Sequence, residues 1–144
     1  GQEEISWDVH CALPAVYNIY TAAAAVCAAA EAGFDTKQII SSLADVTSSF
    51  GRMETFDLDG TQVQMILVKN PAGCDRALSY VASVEEEHDV VLCLNDRTAD
   101  GHDISWIWDA DFEAICENLH VRRFYVRGDR AEDMQLRLKY GGAS

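Results

Sequence analysis

The chain has 144 residues, the size of one ordinary domain or of a small domain with an appendage. Apolar residues make up 49% and charged residues 24%, which is ample for a packed core in a globular chain. The formal charge of −13, from 24 acids against 11 bases, argues against nucleic acid and anionic lipid headgroups as partners, because both carry the same sign. The acids fall in loops and helix starts, so no acidic tail is indicated. Residues 1 to 12 read as a lead-in. Pro14 then opens a helix that runs through alanines to Ala32 and stops at Gly33. This helix is apolar nearly all round, so burial is expected. A second helix spans Lys37 to about Val46, with Ile39, Ile40, Leu43 and Ala44 as its apolar stripe.

Residues Thr47 to Glu54 form a connector, with Gly51-Arg52 as a hinge candidate. The period then changes to that of strands. Thr55 to Leu58 and Gln62 to Val68 flank Asp59-Gly60, a strong hairpin signal. The stretch from Lys69 to Gly73 breaks the second strand, and a helix follows from about Cys74 to Glu86. A strand from Asp89 to Leu94 comes next, read as buried over its apolar run Val90 to Leu94. After an acidic loop come a helix Phe112 to Leu119, a strand Val121 to Val126, and a helix Arg130 to Tyr140 closed by Gly141-Gly142. Helices alternating with strands predict right-handed βαβ units and a parallel sheet. The fold class is therefore α/β: residues 1–48 form a helical segment and residues 49–144 an α/β domain entered by a hairpin. A three-layer sheet wants more strands than these, so the sheet reads as incomplete, and an uncovered edge favours self-association.

Cys11, Cys27, Cys74, Cys93 and Cys116 are odd in number and widely spaced, with no Cys-x-x-Cys pair. This argues against a zinc ribbon here and fits a reducing cytosol. Cys27 and Cys93 read as small core residues. No signal-peptide pattern is seen, and the apolar run Ala22 to Ala30 is too short to span a bilayer.

The loop after the Val90–Leu94 strand carries the chemistry. It holds Asp96, Asp100, Asp103 and Asp109, with Gly101 at its middle and Trp106 and Trp108 beyond. Open α/β sheets place their sites in such loops. One carboxylate alone reads equally well as a solvated cap. A cluster calls for a metal, a cation or a catalytic partner. Asp96 is set apart because it directly leaves the strand and neighbours Arg97, an ion-pair candidate. The two tryptophans either pack on the core or face a partner. His102 reads as a surface residue, and His10, His88 and His120 show no metal spacing. Arg122, Arg123, Arg127 and Arg130 form the one basic cluster.

Several segments together resemble the Mur ligase superfamily. Tyr17-Asn18-Ile19-Tyr20 before an alanine run looks like its Asn-motif helix, although Thr21 stands at the usual second Asn position. Phe50-Gly51-Arg52-Met53-Glu54 looks like its Gly-Arg-x-Glu linking element. Val68-Lys69-Asn70-Pro71-Ala72-Gly73 matches the first strand and turn of its C-terminal domain, with Ile66, Leu67, Val68 and Lys69 in place of the usual Asp-Tyr-Ala-His. These departures, the 93–113 segment and Arg137-Leu138-Lys139-Tyr140 resemble the MurT branch, from about Leu13 to Gly142.

The resemblance implies the helical end of a central ATPase domain followed by part of a C-terminal domain. It implies a ligase subunit that uses ATP and Mg to amidate the D-glutamate α-carboxylate of the lipid II stem peptide. ATP would activate the carboxylate as an acyl phosphate, and ammonia from a GatD-type glutaminase would attack it. The family's P-loop and zinc ribbon have no counterpart in this sequence, so the isolated chain is expected to be inactive and to bind ATP weakly. Asn18 (adenine) and Arg52 are the implied cofactor contacts. Lys69, Asn70 and Arg127 are the implied substrate contacts, with a solvated strand end as the other reading of Arg127. One of Asp100, Asp103 and Asp109 is expected to complete the partner's Cys-His triad. The place of action is expected to be the cytoplasmic face of the membrane. Two other readings stand beside this one. The first is a non-catalytic α/β module that docks an amidotransferase. The second is the end of a folylpolyglutamate-synthase-like ligase, which would carry the Asp and His missing before Asn70.

Overall fold

The computed structural model describes residues 8–10, 13, 16–46 and 51–143, the Arg52 side chain apart. The helix start expected at Pro14 lies outside the described residues. The chain divides into two compact units, Gly1–Leu67 and Val68–Ser144. No helix among the described residues is long and apolar enough to cross a membrane.

In the first unit, α1 (Tyr17–Glu31) packs on α2 (Thr36–Ala44). The amides of Gly33 and Phe34 donate to the carbonyls of Ala30 and Ala29, which closes α1 in the double-bonded manner expected after its last turn. Asp35 caps α2 by accepting from the amides of Lys37 and Gln38. The expectation that α1 is buried needs correcting. Only Val26 of α1 is buried, and Ile19 and Tyr20 are exposed. One neighbouring helix covers one stripe, and alanine methyls on the other faces lose little by exposure. Cys27 lies off that stripe and is exposed, not a core residue.

The hairpin pairs β1 (Arg52–Leu58) with β2 (Thr61–Ile66), antiparallel, with Leu58 opposite Thr61. Asp59 and Gly60 both have positive φ, 52° and 84°, as a type I′ turn requires. The first strand starts at Arg52, earlier than the expected Thr55. A register shift between Arg52 and Glu54, with Met53 at φ 64°, breaks the alternation that would have revealed it.

In the second unit, α3 (Pro71–Ala82) begins three residues before the expected Cys74. Asn70 accepts from the Gly73 amide at 2.7 Å, and Pro71 fits the first helical position. The strand breaker is thus the helix cap. The helix stops at Ala82, short of Glu86, because Glu85, Glu86 and Glu87 would place three negative charges at its carboxyl end. The strands β3 (His88–Cys93) and β4 (Val121–Arg127) then pair in parallel, from Asp89 opposite Arg123 to Cys93 opposite Arg127. Among the described residues this sheet has two strands. The class is α/β with a parallel sheet, as the alternating elements predict.

Helix α4 (Glu113–Cys116) is shorter than the expected Phe112–Leu119. Asn118 donates to the Ala82 carbonyl at 2.7 Å and accepts from the His120 amide at 2.8 Å, and so turns the chain into β4. Helix α5 (Ala131–Tyr140) closes the unit. Cys74 and Leu78 of α3, Ile115 of α4, and Met134 and Leu138 of α5 form one core with Leu94, Ile107, Ala110 and Phe112. Val90, Leu92, Phe124 and Val126 pack on it from the sheet, whereas Val91, Cys93 and Tyr125 are exposed. The expected buried strand is therefore buried on one face only, and Cys93 lies on the other. A continuous apolar run cannot distinguish a strand covered on both faces from one covered on a single face.

The ends of β3 and β4 are locked together. The Leu94 amide donates to the Arg127 carbonyl, the Arg130 amide to the Leu94 carbonyl, and the Asp129 amide to Asn95 Oδ1, each at 3.0 Å. Gly128 sits inside this knot at φ 101°, where a Cβ would strike the Leu94 carbonyl oxygen and lie 2.7 Å from Asn95 Oδ1. Gly128→Ala is expected to cost about 2–4 kcal/mol through strain and overpacking. Gly101→Ala, at φ 90° with nothing within 4 Å, should cost about 1 kcal/mol for the left-handed backbone alone. Urea unfolding of the two variants checks this, and equal losses would show that the junction is not tight.

Candidate acidic-loop site

The sheet delivers residues 94–112 as one loop between β3 and α4. Its near end is tied by exposed ion pairs. Arg130 Nη1 donates to Asp96 at 3.0 Å and its Nε to Asp133 at 2.7 Å. Arg97 grips Asp129 with two hydrogen bonds, 2.6 and 3.1 Å. Asp96 therefore pairs with Arg130 and not with its sequence neighbour Arg97. Adjacent residues leaving a strand point apart, and the parallel pair brings Arg130 and Asp129 alongside. The hydrogen bonds from Arg97 hold the Asp129 carboxyl below its usual range. Such exposed pairs are screened by water and contribute little to stability.

The three candidate carboxylates differ in what they touch. Asp103 Oδ1 accepts from the Ser105 amide at 2.8 Å. Hydrogen bonds from the Ser105 side chain and backbone hold its carboxyl below the ordinary value. Asp100 sits in a turn in which its amide and that of Gly101 donate to the Arg97 carbonyl, at 2.8 and 3.0 Å. Asp109 follows a 3₁₀ turn, Ser105–Trp108, and its amide donates to the Trp106 carbonyl at 3.1 Å. Both Asp100 and Asp109 are exposed, and among the described residues neither carboxylate has a hydrogen bond or a salt bridge.

The far end of the loop is held by a residue that the sequence marks only as part of a family-like motif, with no role attached. Arg137 of α5 is only 5% exposed. Its Nε donates to the Ile107 carbonyl at 2.9 Å and its Nη2 to the Ala110 carbonyl at 2.6 Å. Nη1 and Nη2 also meet the Glu113 carboxylate at 2.9 and 2.8 Å, a bidentate pair. The guanidinium lies 5.2 Å from the Phe112 ring centre and 5.8 Å from that of Trp108. Trp108 in turn meets Tyr140 edge-on at 5.8 Å, while Trp106 is half-buried against the core. The signal was present: residues 134, 137 and 138 lie on one helical stripe, and Met134 and Leu138 are its apolar members.

The other candidates are placed as follows. Asn18 is half-buried in the first turn of α1, and Arg52 opens β1. Lys69 Nζ donates to the Ala99 carbonyl at 3.2 Å, which brings it to the loop, while Asn70 is engaged as the α3 cap. Arg127 is exposed on β4 and donates to the Val126 carbonyl at 3.3 Å. His102 Nδ1 lies 2.7 Å from the Asp96 carbonyl oxygen. Burial pushes the Cys74 thiol up to about 12, so it is a core group and not a nucleophile. Among the described residues no group of three or more His, Cys, Asp or Glu is arranged to hold a metal ion.

Fold and loop together define a Mur-ligase-type C-terminal α/β domain, with an acidic loop at the carboxyl end of a parallel strand. The model of the MurT ligase C-terminal family matches residues 67–144, and the chain belongs to that family. Two relatives are named lipid II isoglutaminyl synthase (glutamine-hydrolyzing) subunit MurT. The one from Staphylococcus aureus (strain COL) is 41% identical over 123 residues, 85% of this chain and 28% of the relative. The one from Streptococcus pneumoniae (strain ATCC BAA-255 / R6) is 35% identical over 127 residues, 88% of this chain and 28% of the relative. The chain thus spans 28% of the length of the curated relatives it matches.

The Arg137–Glu113 pair sets a pH dependence. Hydrogen bonds from Arg137 hold the Glu113 carboxyl below its ordinary 4.5. A depressed carboxyl stabilises the fold above its unfolded value, and that contribution fades as pH falls through the folded value. Glu113→Gln should therefore lower the melting temperature at neutral pH, and the gap to the unmodified chain should narrow below 4.5. A gap independent of pH, followed by circular dichroism, would show that the pair carries no such linkage.

Proposed function

We propose that the whole protein, of which this chain is the C-terminal region, is the ligase subunit of a two-component amide synthase. With a GatD-type glutaminase it amidates the D-glutamate α-carboxylate of the lipid II stem peptide, using ATP and glutamine-derived ammonia. We place the reaction at the cytoplasmic face of the membrane. The observation that carries this reading is the loop after β3, which presents the exposed carboxylates of Asp100, Asp103 and Asp109 beyond the carboxyl end of a parallel strand. Asp103 Oδ1 accepts from the Ser105 amide, which orients the carboxylate and leaves it exposed, while Asp100 sits on a turn and Asp109 on backbone tied to Arg137. A triad carboxylate must be both available and rigidly placed, and one of these three fills that role.

In this role the carboxylate accepts a hydrogen bond from the partner's histidine. It fixes the tautomer that lets the other ring nitrogen take the cysteine proton, and it stabilises the imidazolium that results. The thiolate then attacks the glutamine amide carbon, and the imidazolium returns the proton to the leaving ammonia. The residues of this chain do not fit a triphosphate. The sequence holds no Gly-x-x-x-x-Gly-Lys segment, Lys69 is engaged by a carbonyl and Asn70 by a helix cap. ATP and Mg are accordingly proposed for the whole protein, with no step routed through this chain.

The test is glutamine hydrolysis by the whole complex carrying Asp100→Asn, Asp103→Asn or Asp109→Asn. One of the three changes should lower turnover by about 10³- to 10⁴-fold with partner binding intact. The other two should stay within roughly a few-fold of the unmodified complex. Near-normal turnover for all three would remove the triad reading and leave a docking module without chemistry.

A further inference from the structure

The tip of the loop after β3 is knotted on itself. The Arg97 carbonyl accepts from the amides of Asp100 and Gly101, at 2.8 and 3.0 Å, and His102 Nδ1 lies 2.7 Å from the Asp96 carbonyl oxygen. Residues 96–102 therefore hold together, and the place of the tip is set by what ties it to the rest of the domain. Two exposed ion pairs, Arg97 to Asp129 and Arg130 to Asp96, tie it to the junction of β4 and α5. A further tie comes from the segment that enters α3: Lys69 Nζ donates to the Ala99 carbonyl at 3.2 Å. Ala99 directly precedes Asp100 and stands four residues before Asp103. The backbone of Lys69 is itself well held. Val68 packs on the core, and Asn70 caps α3 by accepting from the Gly73 amide at 2.7 Å, with Pro71 in the first helical position. Only the four-carbon stem is left flexible.

We infer that Lys69 is a positioning residue for glutamine hydrolysis, which sets the carboxylate-bearing tip where a partner's histidine meets it. The inference rests on the functional reading above, in which one loop carboxylate completes the partner's triad. It adds that the placement of the tip comes in part from outside the loop, from a side chain between the hairpin and α3. The ammonium also brings a positive charge to a stretch that carries Asp96, Asp100 and Asp103. A contact of Lys69 with the ligase substrate, the role that the family resemblance implies, would leave glutamine hydrolysis untouched when that substrate is absent. The two roles are therefore separable by assay. A displacement of about 1 Å at a catalytic group lowers turnover by up to about 100-fold, so a single tie is enough to register.

Glutamine hydrolysis by the whole complex, with ATP and the lipid II acceptor left out, is the test. Lys69→Met keeps an unbranched stem and removes the donor. It should lower kcat about ten-fold, the factor that one charge-assisted hydrogen bond carries, with KM for glutamine nearly unchanged. Lys69→Arg keeps the charge and can still donate to a single carbonyl, so its kcat should stay within about three-fold of the unmodified complex. Lys69 is exposed, so both variants should melt with the unmodified protein. In the background of the Asp→Asn variant that abolishes turnover, Lys69→Met should cost less than about two-fold, because the group it positions has already lost its function. An unchanged kcat for Lys69→Met beside an inactive Asp→Asn variant would overturn the inference. So would a loss that Lys69→Arg does not restore, or additive losses in the double variant. Near-normal turnover for all three Asp→Asn variants would instead overturn the triad reading, so the two failures are distinguishable.

Discussion

A guanidinium buried in an apolar core must have its donors satisfied, and that requirement organises the second unit of this chain. Arg137 is 5% exposed, so each of its N–H groups that lacked a partner would cost about 1–3 kcal/mol or more. The partners it finds are two loop carbonyls and the carboxylate of α4. The last helix, the 3₁₀ turn and α4 are thereby fixed to one another by a group that tolerates no slack. Around it the apolar side chains of Ile107, Phe112, Ile115 and Leu138 exclude water, which strengthens the same hydrogen bonds. The pair itself is weak evidence for net stability, since burying charge is expensive. Its consequence is geometry.

The loop thus has two different ends. Near the sheet it is tied by exposed ion pairs, Asp96 to Arg130 and Arg97 to Asp129, and by the close approach around Gly128. Near α4 it is tied by buried hydrogen bonds to Arg137. The carboxylates between these anchors are exposed, on a chain whose formal charge is −13. Such a surface suits a partner that brings a cation to it, as an imidazolium formed during glutamine hydrolysis would.

The elements after the hairpin were legible because their periods change cleanly and turn residues separate them. Asp59-Gly60 gave the hairpin, and the run Val90 to Leu94 gave β3 and its loop. Helix ends were less legible. Asn70-Pro71 serves as cap and first turn, although the same residues read as a strand breaker. Exposure was the least legible of all. An apolar stretch says that a face would gain by being covered, but not whether a neighbour covers it, which is why α1, Cys27 and Cys93 lie more open than their composition suggests. At the site, the acidic loop and its three candidate carboxylates could be found from composition, turn chemistry and family resemblance. Which of them is engaged could not, because the Ser105 bonds to Asp103 are a matter of loop conformation. Arg137 was hidden for a different reason: an arginine near the end of a polar helix ordinarily snorkels to water, and only its place between Met134 and Leu138 marks it as inward.

Where the loop carboxylates go when a partner is bound is the most direct test. A crystal structure of the whole protein in complex with the proposed glutaminase would show this. An oxygen of Asp100, Asp103 or Asp109 should lie about 2.7–3.1 Å from a ring nitrogen of that partner's catalytic histidine, with Arg137 still bridging the carbonyls of Ile107 and Ala110. A histidine met by a carboxylate from elsewhere, or a loop facing solvent away from the interface, would contradict this.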